Sequence, residues 1–149
     1  AQFVAGCDRR TAGDSARISP TDRVEGAIEL IGMQPFIDRR ADMLTTGQAR
    51  LVELGRALVT RPELLLLDEP ASGLDADETA YFAKILQGLA KRGMGILIVE
   101  HDVPLVMKLC TQIFVLDFGK VIASGSPQTV QRDPRVIEAY LGIPAEADA

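Results

Sequence analysis

Apolar positions change period several times along the chain, and each change marks an element. After Pro20-Thr21-Asp22, the residues Val24, Ala27, Ile28 and Ile31 recur at three- and four-residue spacing, which predicts a helix that Gly32 ends. Residues 33–43 mix apolar and polar positions and read as a connector. Thr45-Thr46-Gly47-Gln48 has the form of a capping box, with Thr45 at the cap and Gln48 three residues on. The helix it opens runs to about Val59 with Leu51, Leu54 and Leu58 on its inner face, and Arg61-Pro62 closes it. Leu64-Leu65-Leu66-Leu67 is a continuous apolar run, the pattern of a strand buried on both faces of a parallel sheet. Phe82, Ile85, Leu86 and Leu89 predict a helix over about 77–91, ended by Gly93.

Ile96-Leu97-Ile98-Val99 predicts a second strand, followed by a helix over about 103–110. This strand–helix–strand unit is long enough for a right-handed parallel crossover. Ile113-Phe114-Val115-Leu116 and Val121-Ile122-Ala123 flank Asp117-Phe118-Gly119-Lys120, the pattern of a hairpin with a glycine turn. Short helices are expected near 127–132 and 134–141. Residues 1–20 are rich in Gly, Ala, Ser, Arg and Asp and are expected to be loop or frayed helix, and the tail 144–149 to be disordered. The fold class is therefore α/β.

Composition narrows the function classes. The chain has 149 residues, 47% of them hydrophobic, enough for a core of ordinary size. A net charge of −5 speaks against a nucleic-acid surface. No apolar run approaches the ~20 residues that span a bilayer, and 1–17 does not have the form of a signal peptide. Cys7 and Cys110 have no Cys or His at metal-ligand spacing and read as reduced thiols.

The apolar run at 64–67 ends directly in Asp68-Glu69. Carboxyl ends of parallel strands are where open α/β sheets bind ligands. A carboxylate pair there has two readings. Either Asp68 holds Mg²⁺ and Glu69 orients or deprotonates an attacking water, or the two acids sit in solvent or cap a helix. Pro70 stops the strand, and Ser72-Gly73-Leu74-Asp75 forms a turn with Asp75 placed to cap the next helix. The free N–H groups at Thr45, Thr46 and Gly47 would attract an anion, although Thr45 caps its helix in either case. The second strand ends in Glu100-His101-Asp102, and His101 is the sole histidine. Its imidazole could donate to a phosphate, or it could be a strand-end residue without a role. Glu100 reads as structural, and Arg39-Arg40 as a solvated face rather than a phosphate clamp.

Taken in order, these segments resemble the ATP-binding subunits of ABC transporters. Leu44-Thr45-Thr46-Gly47-Gln48 resembles the family signature LSGGQ, the stretch 64–69 its Walker B motif with the catalytic glutamate, Ser72 to Asp75 its D-loop, and His101 its switch histidine. The resemblance extends from about Asp22 onward. It implies a P-loop NTPase-like partial parallel sheet flanked by helices, with part of the ABC helical subdomain over 1–61. The C-terminal half of the ATPase core, with the C-terminal hairpin and helices, would be 62–149. It further implies Glu69 and His101 as catalytic residues and Asp68 as the Mg²⁺ ligand through water. Thr45, Thr46, Gly47 and Gln48 would contact the ATP γ-phosphate of the opposite subunit, with Ser72, Gly73, Leu74 and Asp75 at the dimer interface. Thr46 departs from the pattern by placing a β-branched side chain where the family has glycine.

No Gly-x-x-x-x-Gly-Lys-Ser/Thr occurs, and Gly119-Lys120 is a turn. The resemblance therefore implies the C-terminal part of such a subunit, a fragment inactive alone. Three stretches are similar to branched-chain amino-acid importers: 99–107, 122–127 and 133–142. The implied partners are a second ATP-binding subunit and transmembrane permease subunits, and no nucleic acid. The implied place is cytoplasmic, peripheral on the inner face of the membrane. Two other readings are a soluble ABC-type ATPase of repair or ribosomes, and a non-catalytic interaction fragment.

Overall fold

The computed structural model describes residues 2–6 and 19–141, so Cys7 and the 144–149 tail lie outside the described residues. Five strands and six helices follow one another as β1 Gln2–Gly6, α1 Pro20–Leu30, α2 Thr46–Val59, β2 Leu64–Asp68, α3 Ala76–Lys91, β3 Gly95–Glu100, α4 Val103–Leu109, β4 Gln112–Asp117, β5 Lys120–Gly125, α5 Pro127–Val130 and α6 Pro134–Leu141. The connector before α2 contains two short 3₁₀ turns, Gln34–Phe36 and Ala41–Met43.

Helix ends follow the capping chemistry of the sequence. Ser19 caps α1 by accepting from the Asp22 amide. Asp102 caps α4 by accepting from the Leu105 amide at 3.0 Å. Both satisfy a donor that the first helical turn leaves free. Helix α2 buries Leu54 and Leu58 and packs against α1, which buries Ala27, while Ile31 at the α1 C-cap is also buried. An apolar groove of about 520 Å³ runs between these two helices.

The sheet order is β2-β3-β1-β4-β5. β1 runs antiparallel to both β3 and β4, with Val4 opposite Val99 on one side and Phe114 on the other. β3 and β4 therefore point the same way, with β1 between them and α4 connecting them. β4 and β5 form an antiparallel hairpin. Its two central residues, Phe118 and Gly119, both have positive φ (43° and 76°), as a two-residue turn between twisted strands requires. The Glu69 amide at the end of β2 donates to the Val99 carbonyl near the end of β3 at 2.8 Å, so the carboxyl ends of these strands lie on the same side of the sheet.

Two expectations change. Gln2–Gly6 is a strand, not loop or frayed helix. Pairing with a neighbour on each side supplies more than local composition can specify. β2 is not buried on both faces: Leu65 is 5% exposed, whereas Leu64 and Leu66 are 53% and 64% exposed. β2 is an edge strand, and only the face carrying Leu65 is covered. β3 and β4 alternate likewise, burying Ile96, Ile98, Ile113 and Val115.

The chain divides into two compact units. The first comprises the described residues of Ala1–Asp8, Leu66–Pro70 and Gly95–Ala149, and the second those of Arg9–Leu65 and Ala71–Met94. The first carries nearly all of the sheet. The second carries α1, α2 and α3, with α3 packed on α2.

Burial sets the cost of truncation. Ile113→Ala removes a fully buried side chain and should destabilise by about 2–5 kcal/mol. Leu66→Ala should stay within about 0.5 kcal/mol. Urea unfolding of the two variants followed by circular dichroism checks the difference; equal effects would show that the open face of β2 is covered in solution.

Candidate functional site

The Asp68-Glu69 pair ends β2, and His101 follows the end of the adjacent β3. The extended backbone of β2 ends at Asp68. Glu69 instead adopts a left-handed backbone, φ 43°, while its amide stays bonded to Val99. For a residue with a side chain, that conformation costs on the order of 1–2 kcal/mol and persists where surrounding bonds over-determine it. It brings Glu69 Oε1 to 3.4 Å from His101 Nδ1, with both side chains partly open to solvent, at 41% and 61%. The sequence predicted both residues and left their contact open. The structure brings them together.

Glu100 holds the histidine's backbone. It is 1% exposed, and its Oε2 accepts from the His101 amide at 3.0 Å and the Asp102 amide at 3.5 Å. The same oxygen lies 3.8 Å from His101 Nδ1. The carboxylate therefore stabilises the turn that carries His101 out of β3. Glu100 thus has the structural role that its sequence position suggests, as the anchor of the His101 turn. The available signal was weak: an acid at the last position of an apolar strand.

Asp68 is exposed at the strand end. Among the described residues no three His, Cys, Asp or Glu side chains converge into a metal cage. Mg²⁺ is ordinarily held by one or two carboxylates together with water and substrate phosphates, so a single exposed Asp68 fits that ion and would not fit Zn²⁺.

In the second unit the predicted capping box forms at Thr45. The Gln48 amide donates to Thr45 Oγ1 at 3.2 Å, and Gln48 Oε1 accepts from the Thr45 amide at 3.1 Å. Thr45 and Thr46 are exposed, and Gly47 is buried. Asp75 caps α3 with a second capping box, in which Glu78 takes part. The two turns abut. A Cβ on Gly73, whose φ is +79°, would lie 3.4 Å from the Thr46 methyl, so Thr46 packs against the Ser72–Asp75 turn within the same chain. A Cβ on Gly47 would overlap the Glu78 carboxylate. The contact of Glu78 with Thr45 escaped the sequence reading because the two lie 33 residues apart. Arg39 stacks over Phe36 and Arg40 pairs with Asp42, leaving the two arginines on a solvated face as expected.

Comparison with known proteins accords with this geometry. The family described as ABC transporter matches residues 3–72, and the family described as branched-chain amino acid ATP-binding cassette transporter matches 120–146. The chain is similar to the high-affinity branched-chain amino acid transport ATP-binding protein LivG of Escherichia coli (strain K12). The two are 38% identical over 128 residues, covering 85% of this chain and 50% of the relative. It is also similar to the lipopolysaccharide export system ATP-binding protein LptB of Haemophilus influenzae, 37% identical over 128 residues, covering 84% and 53%. Among solved structures, the ADP conformation of an ATP-binding cassette of an ABC transporter superposes with a TM-score of 0.77 at 28% identity, covering 89% of this chain and 54% of that one. The chain spans about half the length of the curated relatives it matches. With the motifs, their order and the fold agreeing, the chain belongs to the ABC transporter ATP-binding family.

Proposed function

We propose that this chain is part of an ATP-hydrolysing ABC subunit that drives import of branched-chain or related amino acids. The observation that supports it most directly is the Glu69–His101 contact at the ends of adjacent strands. An ATPase needs a group to orient the attacking water and a donor for the transferring phosphoryl group. Glu69 is the acceptor for the water proton. His101 points Nδ1 at Glu69, which leaves Nε2 for a phosphate oxygen. Asp68 would hold Mg²⁺ through water, an ion that when bound would supply positive charge to the phosphate oxygens. Glu100 fixes the turn that presents the imidazole.

Thr45, Thr46, Gly47 and Gln48 stand at the start of α2, a helix N-terminus of the kind that attracts anions. In this reading they serve the nucleotide of a second ATP-binding subunit, with Ser72, Gly73, Leu74 and Asp75 at that interface. In this reading residues 20–61 belong to the helical subdomain, and 62–149 together with the Gln2–Gly6 strand to the ATPase core. Among the described residues no helix is long and apolar enough to cross a membrane, so attachment to the inner face runs through permease subunits. The amino-acid assignment rests on the branched-chain family match over 120–146, which covers β5 through α6. The similarity to LptB favours a second reading, lipopolysaccharide export, which that C-terminal match does not support.

Two measurements test this. Glu69→Gln in the complete subunit should lower kcat by about 10²–10⁴-fold, the range of a general base, with the KM for ATP little changed. Unchanged turnover would remove the catalytic assignment and leave an interaction role. The 149-residue chain alone carries no Gly-x-x-x-x-Gly-Lys-Ser/Thr. Calorimetric titration of it with ATP and Mg²⁺ should show no micromolar binding; micromolar binding with turnover would overturn the reading of the chain as inactive alone.

A further inference from the structure

We propose that Glu78 is a positioning residue that clamps the Ser72–Asp75 turn to the Thr45–Gly47 turn, so that the two move as one piece. Its carboxylate stands between two helix N-termini, where each helix attracts negative charge. Glu78 Oε2 accepts from the Asp75 amide at 3.2 Å, completing the cap of α3. Glu78 Oε1 accepts from the Thr45 hydroxyl at 3.4 Å. That hydroxyl in turn accepts from the Gln48 amide at 3.2 Å. The result is a continuous chain: Gln48 N–H to Thr45 Oγ1–H to the Glu78 carboxylate, and Asp75 N–H to the same carboxylate. Hydrogen bonds in such a chain polarise one another, so loss of the carboxylate is felt at both ends.

Gly47 gives independent support. A methyl group there would collide with both the Oε1 and the Cδ of Glu78. Glycine at 47 is therefore needed to seat the carboxylate as well as to keep the α2 start open. Thr46 closes the same seam from the other side, with its methyl over Gly73. A shift of the Ser72–Asp75 turn is thus transmitted to the Thr45 hydroxyl. The functional weight of this coupling rests on reading these turns as D-loop and signature; the contact itself does not.

Amide hydrogen exchange by NMR on the full 149-residue chain, without nucleotide, tests the clamp separately from ATP hydrolysis. Glu78→Ala should speed exchange at both Asp75 and Gln48. Gly47→Ala, which evicts the carboxylate, should do the same, and adding it to Glu78→Ala should change neither amide further. Glu78→Gln, which keeps an acceptor and a donor of the same shape, should restore protection at both. If Glu78→Ala frees Asp75 while Gln48 stays protected, Glu78 is only the cap of α3 and the clamp is overturned. If Glu78→Ala does not fold, Gly47→Ala carries the test from the other side of the contact, with the same pair of amides read.

Discussion

The hydrogen bond from the Glu69 amide to the Val99 carbonyl is the constraint on which the meeting of Glu69 and His101 depends. It aligns the carboxyl ends of β2 and β3 and holds Glu69 beside β3 after the strand has ended. The price is a left-handed residue that carries a side chain. Without that bond Glu69 would follow the chain away from His101, and Asp68 and Glu69 would be an ordinary pair of acids at a strand end. With it, the Glu69 carboxylate and the His101 imidazole meet at 3.4 Å in a partly solvated position. The buried Glu100 completes the arrangement by fixing the turn beneath the imidazole.

A second junction is built on the same economy of parts. Two capping boxes, one at Thr45 and one at Asp75, are local motifs that each stabilise a helix start. Glu78 belongs to one of them and reaches the other. Helix capping and motif alignment are thus served by one side chain, which explains why a glycine at position 47 faces a carboxylate.

Much of this was legible in the sequence because it is local. The helix caps at Thr45 and Asp75 follow from short-range donor and acceptor spacing, the start of α1 from Pro20-Thr21-Asp22, and the Phe118-Gly119 turn from the hairpin pattern. Glu69, His101, Thr45 and Asp75 were all identifiable by residue type and position. What could not be read was non-local. Gln2–Gly6 gains its strand character from partners about a hundred residues away, Glu100 and Val99 on one side and Val115 and Phe114 on the other. The exposure of Leu64 and Leu66 depends on β2 lying at the sheet edge, which a run of four leucines does not encode. The bond from Thr45 to Glu78, 33 residues apart, carries no spacing signature.

The central claim is that Glu69 and His101 work as a unit. A double-mutant cycle on kcat in the complete subunit, with Glu69→Gln, His101→Ala and both together, measures this most directly. Groups that act together lose about as much singly as jointly, so the double variant should be no slower than the slower single one. If the two losses multiply, the residues act independently and the contact between them has no part in catalysis.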